Sequence, residues 1–411
     1  MTTNLNKVRT SSIDTKSTSD IAYFALIVLI WTKDVLLTYV RAAIMRLPLI
    51  GRYPDIFLSA IWAICIFFAI PKIAKKINTK QVLFVITAVA VYFSHYLLFP
   101  DNGDVLSKIL PTFMLSALPL YFIGISIDVN KYFKYMYTLS LLSVLGMSIY
   151  KTVIKTPMTD IVSLYQGDMD AAYKILPHVC IVIYGTISKP NIGNIAVFAV
   201  GFILMFSLGC RGALGCMIAF LLIMVIWFQK RKHRIISYAF MLTGGVLIVT
   251  FFYDIMLYLG HLAQNLGLSI RIFDKFFSGE LFESVARTKI LETIREAIFA
   301  SPFIGNGIAA DRVLIKNGYA HNIAYEFWLS FGLIVGTILL AVVILRIIRS
   351  YTLLSENTEK MFLIIFIFSG FIHLFLSGSY LTSANFFFLL GLCSSIINRH
   401  RTSRSINNLN T

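Results

Sequence analysis

A single histidine stands where a polar run of this sequence changes into a long apolar one. In the stretch KNGYAHNIAYEFWLSFGLIVG, residues 316–336, the polar part ends at His321 and Asn322. Imidazole titrates near neutral pH and can accept a proton from a hydroxyl group, which is typically worth about 10²–10⁴ in rate. Tyr319, Asn322 and Glu326 have spacings that bring them to one end and one side of a helix. We therefore predict a base held by polar neighbours; the competing interpretation is a hydrogen-bonded structural histidine.

Arg211 is a candidate ligand for a phosphate group. It lies between glycines in the segment LGCRGALG, residues 208–215, where two apolar stretches meet. An arginine near the membrane interior costs about 2.5–3.5 kcal/mol on insertion scales, so it usually has a partner or a task. Its planar guanidinium group binds phosphate oxygens in a bidentate manner. The alternative is an arginine that anchors a helix end at the membrane interface.

Arg287 is the second candidate. The segment SVARTKILETIREAIFASPFIGNG, residues 284–307, has the periodicity of one amphipathic helix that opens at Ser284 and stops at Pro302. Arg287 lies on its apolar face near the positive end of the helix, where an anion is stabilised. The alternative is an arginine whose stem covers apolar surface while its head group reaches water or lipid phosphate. The apolar face consists of Arg287, Ile290, Leu291, Ile294 and Ile298, and the polar face of Lys289, Glu292, Arg295 and Glu296.

The composition indicates which kind of protein must position these residues. Hydrophobic residues make up 58% of the 411 residues and charged residues only 14%, which is too apolar for a soluble chain to bury in one core. The formal net charge of +16 is explained by Lys and Arg residues that orient membrane helices, so no nucleic acid is expected as a partner. The five cysteines have no spacing typical of disulfides or a metal site. No removable signal peptide is predicted.

The chain is predicted to be an all-α polytopic membrane protein with about twelve transmembrane helices. A spanning helix needs about 20 mostly apolar residues, and the ten-residue alternation typical of a membrane barrel does not occur in the sequence. The predicted spans fall near residues 19–40, 53–71, 81–100, 111–128, 135–152, 171–188, 192–209, 211–229, 235–260, 322–348, 361–379 and 381–398.

Both termini are predicted to be cytoplasmic, because most Lys and Arg residues of the short connections then lie inside. The run QKRKHR, residues 229–234, fixes the central part of this orientation independently. The long connection then lies outside, so Arg211, Arg287 and His321 are expected at one membrane face. The predicted organisation is an N-terminal tail 1–18, helices one to nine over 19–260, an outer loop 261–320, helices ten to twelve over 321–398 and a C-terminal tail 399–411.

Three segments taken together resemble the O-antigen polymerase and O-antigen ligase superfamily of bacterial envelope glycosyltransferases. The resemblance covers about residues 195–350 and rests on LGCRGALG, ARTKILETIREAIFASPFIGNGI and YAHNIAYEFWLSFGLIVG. The family has an arginine beside small residues, an arginine opening a segment that ends in a Pro-x-x-Gly-x-Gly turn, and a His-Asn pair leading into a helix with glycines. Cys210 stands where the family more commonly has a serine. The matching positions are Arg211; Arg287 with Pro302, Gly305 and Gly307; and His321 and Asn322 with Gly332 and Gly336.

The resemblance implies a GT-C-like fold and transfer of undecaprenyl pyrophosphate-linked sugars at the periplasmic face of the inner membrane. It implies that Arg211 and Arg287 bind the pyrophosphate and that His321 deprotonates or orients the attacking hydroxyl. No cofactor is expected, because the carrier lipid already activates the sugar, and no metal is required where arginines supply the positive charge. The substrate-binding residues expected beside them are Asn322, Tyr319, Glu326, Gly305 and Gly307.

Two alternatives stay open at this point. A polymerase and a ligase differ in the acceptor, which is a carrier-linked repeat unit or the lipid A core; the weak resemblance of the first half of the chain and Cys210 favour the polymerase. A flippase or other transporter is an alternative of a different class, suggested by Lys33 and Lys174 in otherwise apolar stretches. The expected partners are the undecaprenyl pyrophosphate-linked oligosaccharide as donor and acceptor, membrane lipid, a chain-length regulator protein and a flippase.

Overall fold

A computed structural model describes residues 53–153, 161–228, 252–265, 271–278, 285–316 and 318–409, with a few positions between residues 21 and 44. Several predicted features lie outside the described residues: the tail 1–18, Lys33, Ser284, the run 229–234, and most of the spans near 19–40 and 235–260. Within the described residues every regular element is a helix. The prediction of an all-α fold is therefore confirmed.

The chain forms two compact units. The larger unit comprises Met1–Met136 and Ile290–Thr411, and the smaller unit comprises Tyr137–Lys289. Short 3₁₀ or π-helical turns occupy Pro100–Asn102, Phe113–Ala117, Ile367–Phe371 and Ile372–Phe375. In chain order the described α-helices are α1 Pro54–Ala74, α2 Thr79–Leu98, α3 Gly103–Thr112, α4 Leu118–Ser126, α5 Val129–Val153, α6 Ile161–Ser188, α7 Ile192–Ser207, α8 Arg211–Phe228, α9 Phe252–Asn265, α10 Arg271–Phe277, α11 Val285–Ala300, α12 Ala310–Leu314, α13 Ile323–Leu353, α14 Asn357–Phe366 and α15 Ala384–Leu409.

Six helical segments among the described residues are long and apolar enough to cross a membrane. Their outward side chains include large apolar ones, such as Phe67 at 70% exposure, as expected for helices surrounded by lipid. These features support a polytopic membrane protein, whereas the number of twelve helices and the periplasmic loop remain predictions. The six segments are Ile56–Ala74, Thr79–Leu98, Pro100–Ser126, Met169–Ser188, Ile323–Leu353 and Asn357–Phe375, and two shorter apolar helices are Ile192–Ser207 and Arg211–Ile226.

Tight turns separate α6, α7 and α8 in the smaller unit. The turn before α7 ends at Asn191, whose side chain accepts a hydrogen bond from the backbone NH of Asn194 at 2.8 Å. The turn before α8 contains Gly209 at φ 64°, a conformation that glycine adopts without steric cost. Arg211 is consequently the first residue of α8.

Helices α4 and α15 make a close backbone contact in the core of the larger unit. A Cβ atom added at Gly124 would lie 2.3 Å from the carbonyl oxygen of Phe388, and one added at Gly391 would lie 2.0 Å from that of Tyr121. Small residues at such positions let membrane helices approach closely. Helix α13 also packs against α15, so this contact supports the helix that follows His321.

The last helix continues beyond the predicted span near 381–398. Helix α15 runs from Ala384 to Leu409 and so includes most of the segment 399–411, whose position as a cytoplasmic tail stays a prediction. Neither glycine nor proline occurs between residues 399 and 409 to stop a helix. In this extension Arg399 forms an ion pair with Glu359 of α14 at 2.8 Å.

Helix α13 covers the predicted span near 322–348, but it is interrupted at Gly332. Gly332 has φ 77° and ψ 169°, which is far from helical geometry. The part after the break, up to Leu353, covers about 30 Å, which is enough for the hydrocarbon core of a bilayer. The part before the break, beginning at Ile323, is a separate short helix that carries Glu326.

Candidate active site

The break at Gly332 is filled by the turn that follows α11. The backbone NH of Asn306 donates a hydrogen bond to the carbonyl of Leu329 at 2.7 Å, and the NH of Leu333 donates to the carbonyl of Pro302 at 2.7 Å. These bonds pair groups that the break removes from the helical ladder, as backbone away from water requires. The turn and the broken helix therefore form one structural element.

Gly305 and Gly307 give this turn its shape. Their φ angles are 79° and 85°, and a Cβ atom added at Gly307 would lie 2.5 Å from the ring of Phe99. The side-chain amide of Asn102 donates to the carbonyl of Asn306 at 2.8 Å in the same region. The two glycines thus allow the turn to contact the end of α2, and their role in substrate binding stays a prediction.

His321 lies immediately before α13 and is half-buried, with a backbone φ of 54°. Left-handed backbone at a residue with a Cβ atom costs about 1–3 kcal/mol and is concentrated at functional sites. Its Nδ1 atom lies 3.4 Å from Oγ of Ser377, and its ring centroid lies 4.1 Å from that of Tyr319. The Tyr319 hydroxyl is also 3.4 Å from Oγ of Ser377. The imidazole is therefore oriented by a ring on one side and a hydroxyl on another.

Asn322 caps the start of α13. Its Oδ1 atom accepts hydrogen bonds from the backbone NH groups of Ala324 at 2.9 Å and Tyr325 at 3.4 Å. Its amide nitrogen donates to the carbonyl of Phe375 at 3.4 Å. Such a cap satisfies NH groups that have no partner within the helix. Asn322 thereby fixes the backbone that carries His321, and its contact with substrate remains a prediction.

An ion-pair network adjoins the His321 segment, and sequence analysis did not identify its cation, Arg312. The Nη1 atom of Arg312 lies 3.0 Å from Oδ1 of Asp311 and 3.6 Å from Oε1 of Glu326. Both acidic residues are 1% exposed. The Oδ2 atom of Asp311 accepts a hydrogen bond from the backbone NH of Ala320 at 3.0 Å. The network therefore connects α12, α13 and the residue that precedes His321.

Glu326 is also held by the loop before α15. The Ser379 hydroxyl donates to Oε1 of Glu326, and the backbone NH of Tyr380 donates to Oε2 at 3.1 Å. Burial, followed by the charge of Glu326, raises the pKa of Tyr380 well above its usual value, so this phenol stays neutral at physiological pH. The observed contacts of Glu326 are internal and position neighbouring segments. In the sequence, the position of Glu326 within an apolar stretch indicates that its carboxylate has partners inside the protein.

Helix α11 has the two faces that its periodicity predicts. Ile294 and Ile298 are buried in a cluster with Ala310, Ala320 and Leu329. The segment leading to His321 is thus held by apolar packing as well as by the ion-pair network. The predicted polar face is exposed at Lys289, Glu292, Arg295 and Glu296.

Arg211 and Arg287 belong to the smaller unit, whereas His321 belongs to the larger one. Arg211 opens α8, Arg287 lies in the first turn of α11, and both side chains are half-buried. A helix N-terminus disfavours a cation and favours an anion. A guanidinium group beside N-terminal NH groups is accordingly suited to a phosphate ligand.

Tyr173 of α6 links the segments of the two arginines, and sequence analysis did not identify it. Its hydroxyl is hydrogen-bonded to the Cys210 thiol, and it lies within electrostatic range of Arg287. Cys210 is 3% exposed and directly precedes Arg211. The thiol at the position of the family's serine is therefore engaged inside the smaller unit. The contact depends on the packing of α6 against α8, which leaves no signal in the sequence.

The described residues contain no group of three or more His, Cys, Asp or Glu side chains that could hold a metal ion. In the smaller unit the arginines provide positive charge, and in the larger unit His321 provides a group that can exchange a proton.

Comparison with known families finds one relevant match. Residues 195–341 match the family model described as O-Antigen ligase, and this range contains Arg211, Arg287 and His321. No match was found among curated proteins or among solved structures. The match covers less than half of the 411 residues, and over this segment it supports a likeness to the O-antigen ligase and polymerase superfamily of glycosyltransferase-like enzymes acting on lipid-linked sugars.

Proposed function

We propose that this protein is an O-antigen polymerase that joins undecaprenyl pyrophosphate-linked oligosaccharide repeat units at the periplasmic face of the bacterial inner membrane. One observation carries the proposal: the segment that matches the family contains both arginines and the histidine that the motifs single out. The choice of polymerase rests on the weak resemblance of the first half of the chain and on Cys210 in place of serine. A chain-length regulator and a flippase are the protein partners included in this proposal.

In the proposed reaction, a hydroxyl group of the acceptor sugar attacks the anomeric carbon of the donor glycan. The glycosidic bond forms as the bond between that carbon and the pyrophosphate oxygen breaks, and undecaprenyl pyrophosphate leaves with the electron pair. His321 takes the proton of the attacking hydroxyl. Arg211 and Arg287 stabilise the charge that develops on the leaving pyrophosphate.

On the basis of their contacts, the proposal gives supporting roles to the neighbours of His321. Tyr319 and Ser377 orient the imidazole ring. Asn322 fixes the start of α13, and the ion pair of Arg312 with Glu326 holds the segments on either side. A base that is positioned before the substrate binds loses little entropy in the reaction.

The test is chain extension by purified protein in detergent, with a synthetic undecaprenyl pyrophosphate-linked repeat unit as donor and acceptor. We expect His321→Ala, Arg211→Ala and Arg287→Ala each to lower the rate at least about 10²-fold. Arg287→Lys should recover only part of the rate, because an ammonium group lacks the planar fork. A wild-type rate in one of these variants would exclude that residue from the reaction.

Arg295→Ala is a matched control for Arg287→Ala. Arg295 lies on the same helix, but on its exposed face. We expect this variant to extend chains at the wild-type rate. Equal losses in both variants would indicate that removing any cation from α11 impairs the protein, and would contradict a specific role of Arg287.

The ligase remains the second candidate, favoured by the description of the matching family. The surface polysaccharide of a deletion strain separates the two activities. Loss of a polymerase leaves one repeat unit on the lipid A core, whereas loss of a ligase leaves none.

Transport of the lipid-linked unit is less well supported. Lys174, which suggested it, forms an ion pair with Asp170 at 2.5 Å one helical turn away. Its charge therefore has a partner within α6, while Lys33 lies outside the described residues. Chain extension in detergent, where no compartments exist, would exclude transport as the primary activity.

A further inference from the structure

A cavity of about 320 Å³ in the larger unit lies among helices α2, α4, α13 and α15. Four cationic side chains line it: Lys80, Arg346, Arg349 and Arg401. No Asp or Glu is among the described residues that line this cavity. None of the residues assigned to the proposed glycosyl transfer lines this cavity.

The cations of the cavity are arranged by helical periodicity. Arg346 and Arg349 are three residues apart on α13, and Ser394 and Arg401 are seven apart on α15, so each pair shares one helix face. The Nη2 atom of Arg346 donates to Oγ of Ser394 at 2.6 Å, which fixes the guanidinium group between the two helices. Its Nε atom is buried and has no hydrogen-bond partner among the described residues.

A cluster of four cations without a carboxylate is electrostatically unfavourable unless an anion joins it. Arg399 shows the contrast on the same helix, because it pairs with Glu359 at 2.8 Å and does not line the cavity. None of the described residues that line the cavity supplies an anion, so an anion bound from outside would be stabilised by all four cations. Arginine and lysine side chains around a cavity suit a phosphate group.

The lining also includes the polar side chains of Gln81, Ser394 and Asn398 and an apolar part that is open to the surroundings. Phe84, Val342 and Leu345 line the cavity, and the last two are 46% and 63% exposed. A free phosphate ion would not use this surface, whereas a lipid would place its acyl chains along it. All four cations also belong to segments for which the sequence predicts a cytoplasmic position, where anionic lipids attract basic residues.

We propose that this cavity binds the phosphate headgroup of an anionic phospholipid, with the acyl chains along α13. The ligand is a structural lipid of the surrounding membrane and is distinct from the sugar donor. The site stabilises the contact of α2, α13 and α15, since the bound phosphate relieves the repulsion between cations on these three helices.

The experiment titrates the purified protein in detergent with phosphatidylglycerol or cardiolipin, with phosphatidylcholine as the zwitterionic comparison. Bound lipid is counted by native mass spectrometry, and the melting temperature is recorded in parallel. The triple variant Lys80→Gln/Arg349→Gln/Arg401→Gln removes three exposed cations of the cavity, and Arg399→Gln is the matched control. We expect the triple variant to bind anionic lipid at least about tenfold more weakly, because it loses several charge-assisted contacts, and Arg399→Gln to bind it like the wild type.

Wild-type affinity in the triple variant would overturn the proposal, as would equal binding of phosphatidylcholine and phosphatidylglycerol. Inorganic phosphate is titrated as a separate arm; saturation by phosphate alone, with no further gain from lipid, would show an ion site and overturn the lipid assignment. If the triple variant does not fold, Arg349→Gln and Arg401→Gln are measured singly. Unchanged lipid binding in both single variants would also overturn the proposal.

Discussion

Arg312, close to the start of helix α13, and Arg346, near its end, have opposite electrostatic surroundings. Arg312 lies 3.0 Å from Asp311 and 3.6 Å from Glu326, so its charge is neutralised within the chain. Arg346 donates to the Ser394 hydroxyl at 2.6 Å, and the other charged side chains around its cavity are cations. The same type of side chain thus holds segments together in one place and is available to an external anion in the other.

This difference separates two kinds of arginine in an apolar protein. Removing a guanidinium group that neutralises buried carboxylates leaves those charges without a partner, which is strongly destabilising. Removing one from a cluster of cations takes away a hydrogen bond but also relieves repulsion. The effect on stability should therefore fall steadily from Arg312 to Arg346 and then to the exposed arginines of the cavity.

We expect Arg312→Gln to have the largest effect, lowering the free energy of unfolding by about 3–5 kcal/mol. The variant leaves Asp311 and Glu326 buried without their cation. Unfolding by a denaturing detergent, followed by circular dichroism of the purified protein, measures the change. An unchanged free energy would contradict the ion-pair network.

The double variant Arg312→Gln/Glu326→Gln tests the cause of that loss. An amide at position 326 keeps the acceptor for the backbone NH of Tyr380 but removes the carboxyl group that lies beside Asp311 and has lost its cation. We expect the double variant to recover at least about 1 kcal/mol relative to Arg312→Gln. Strictly additive losses would show that the two side chains act independently.

The glycine that separates the two regions of α13 should have the next largest effect. In Gly332→Ala a Cβ atom would lie 2.3 Å from the carbonyl oxygen of Phe303, at a backbone conformation that is nearly restricted to glycine. We expect a loss of roughly 1–3 kcal/mol from the backbone conformation, with a further loss from the contact. Gly215→Ala is the matched control, since a Cβ atom there meets nothing within 4 Å. Equal melting temperatures of the two variants would contradict the break at Gly332.

The sequence predicts features that depend on local periodicity. The two faces of α11, the short connections between the spans near 171–188, 192–209 and 211–229, and the position of His321 at a helix start follow from residues close to one another in the chain. The all-helical fold follows from the apolar composition together with the length of the apolar runs. These features need no knowledge of which distant segments meet.

The features that the sequence did not reveal depend on distant contacts. The break at Gly332 is stable because Pro302 and Asn306 supply hydrogen bonds, and an apolar stretch with glycines favours a continuous span when those partners are unknown. Arg312 became recognisable as the partner of Glu326 only when α12 and α13 were placed together. The cavity is lined by cations from three separate segments, each of which was explained by membrane orientation alone.

Arg346→Gln should lower the free energy of unfolding less than Arg312→Gln or Gly332→Ala does, by about 1 kcal/mol in detergent without lipid. The loss of the hydrogen bond to Ser394 is partly offset by the weaker repulsion from Arg349 and Arg401. Denaturing-detergent titration of this variant beside Arg312→Gln gives the comparison directly. An equal loss in the two variants would show that Arg346 also neutralises a buried charge, and would contradict an uncompensated cavity.

Arg349→Gln should have the smallest effect on the lipid-free protein, within about 0.5 kcal/mol of the wild type, because Arg349 is exposed. Its effect should appear when phosphatidylglycerol is added, since the variant has one cation fewer to bind the phosphate. We expect the gain in melting temperature on adding this lipid to be smaller than in the wild type, and the difference to shrink at high salt as the charges are screened. If the two proteins differed in melting temperature by the same amount with and without lipid, Arg349 would stabilise the fold through internal contacts, as Arg312 does. The contrast between the two ends of α13 would then no longer hold.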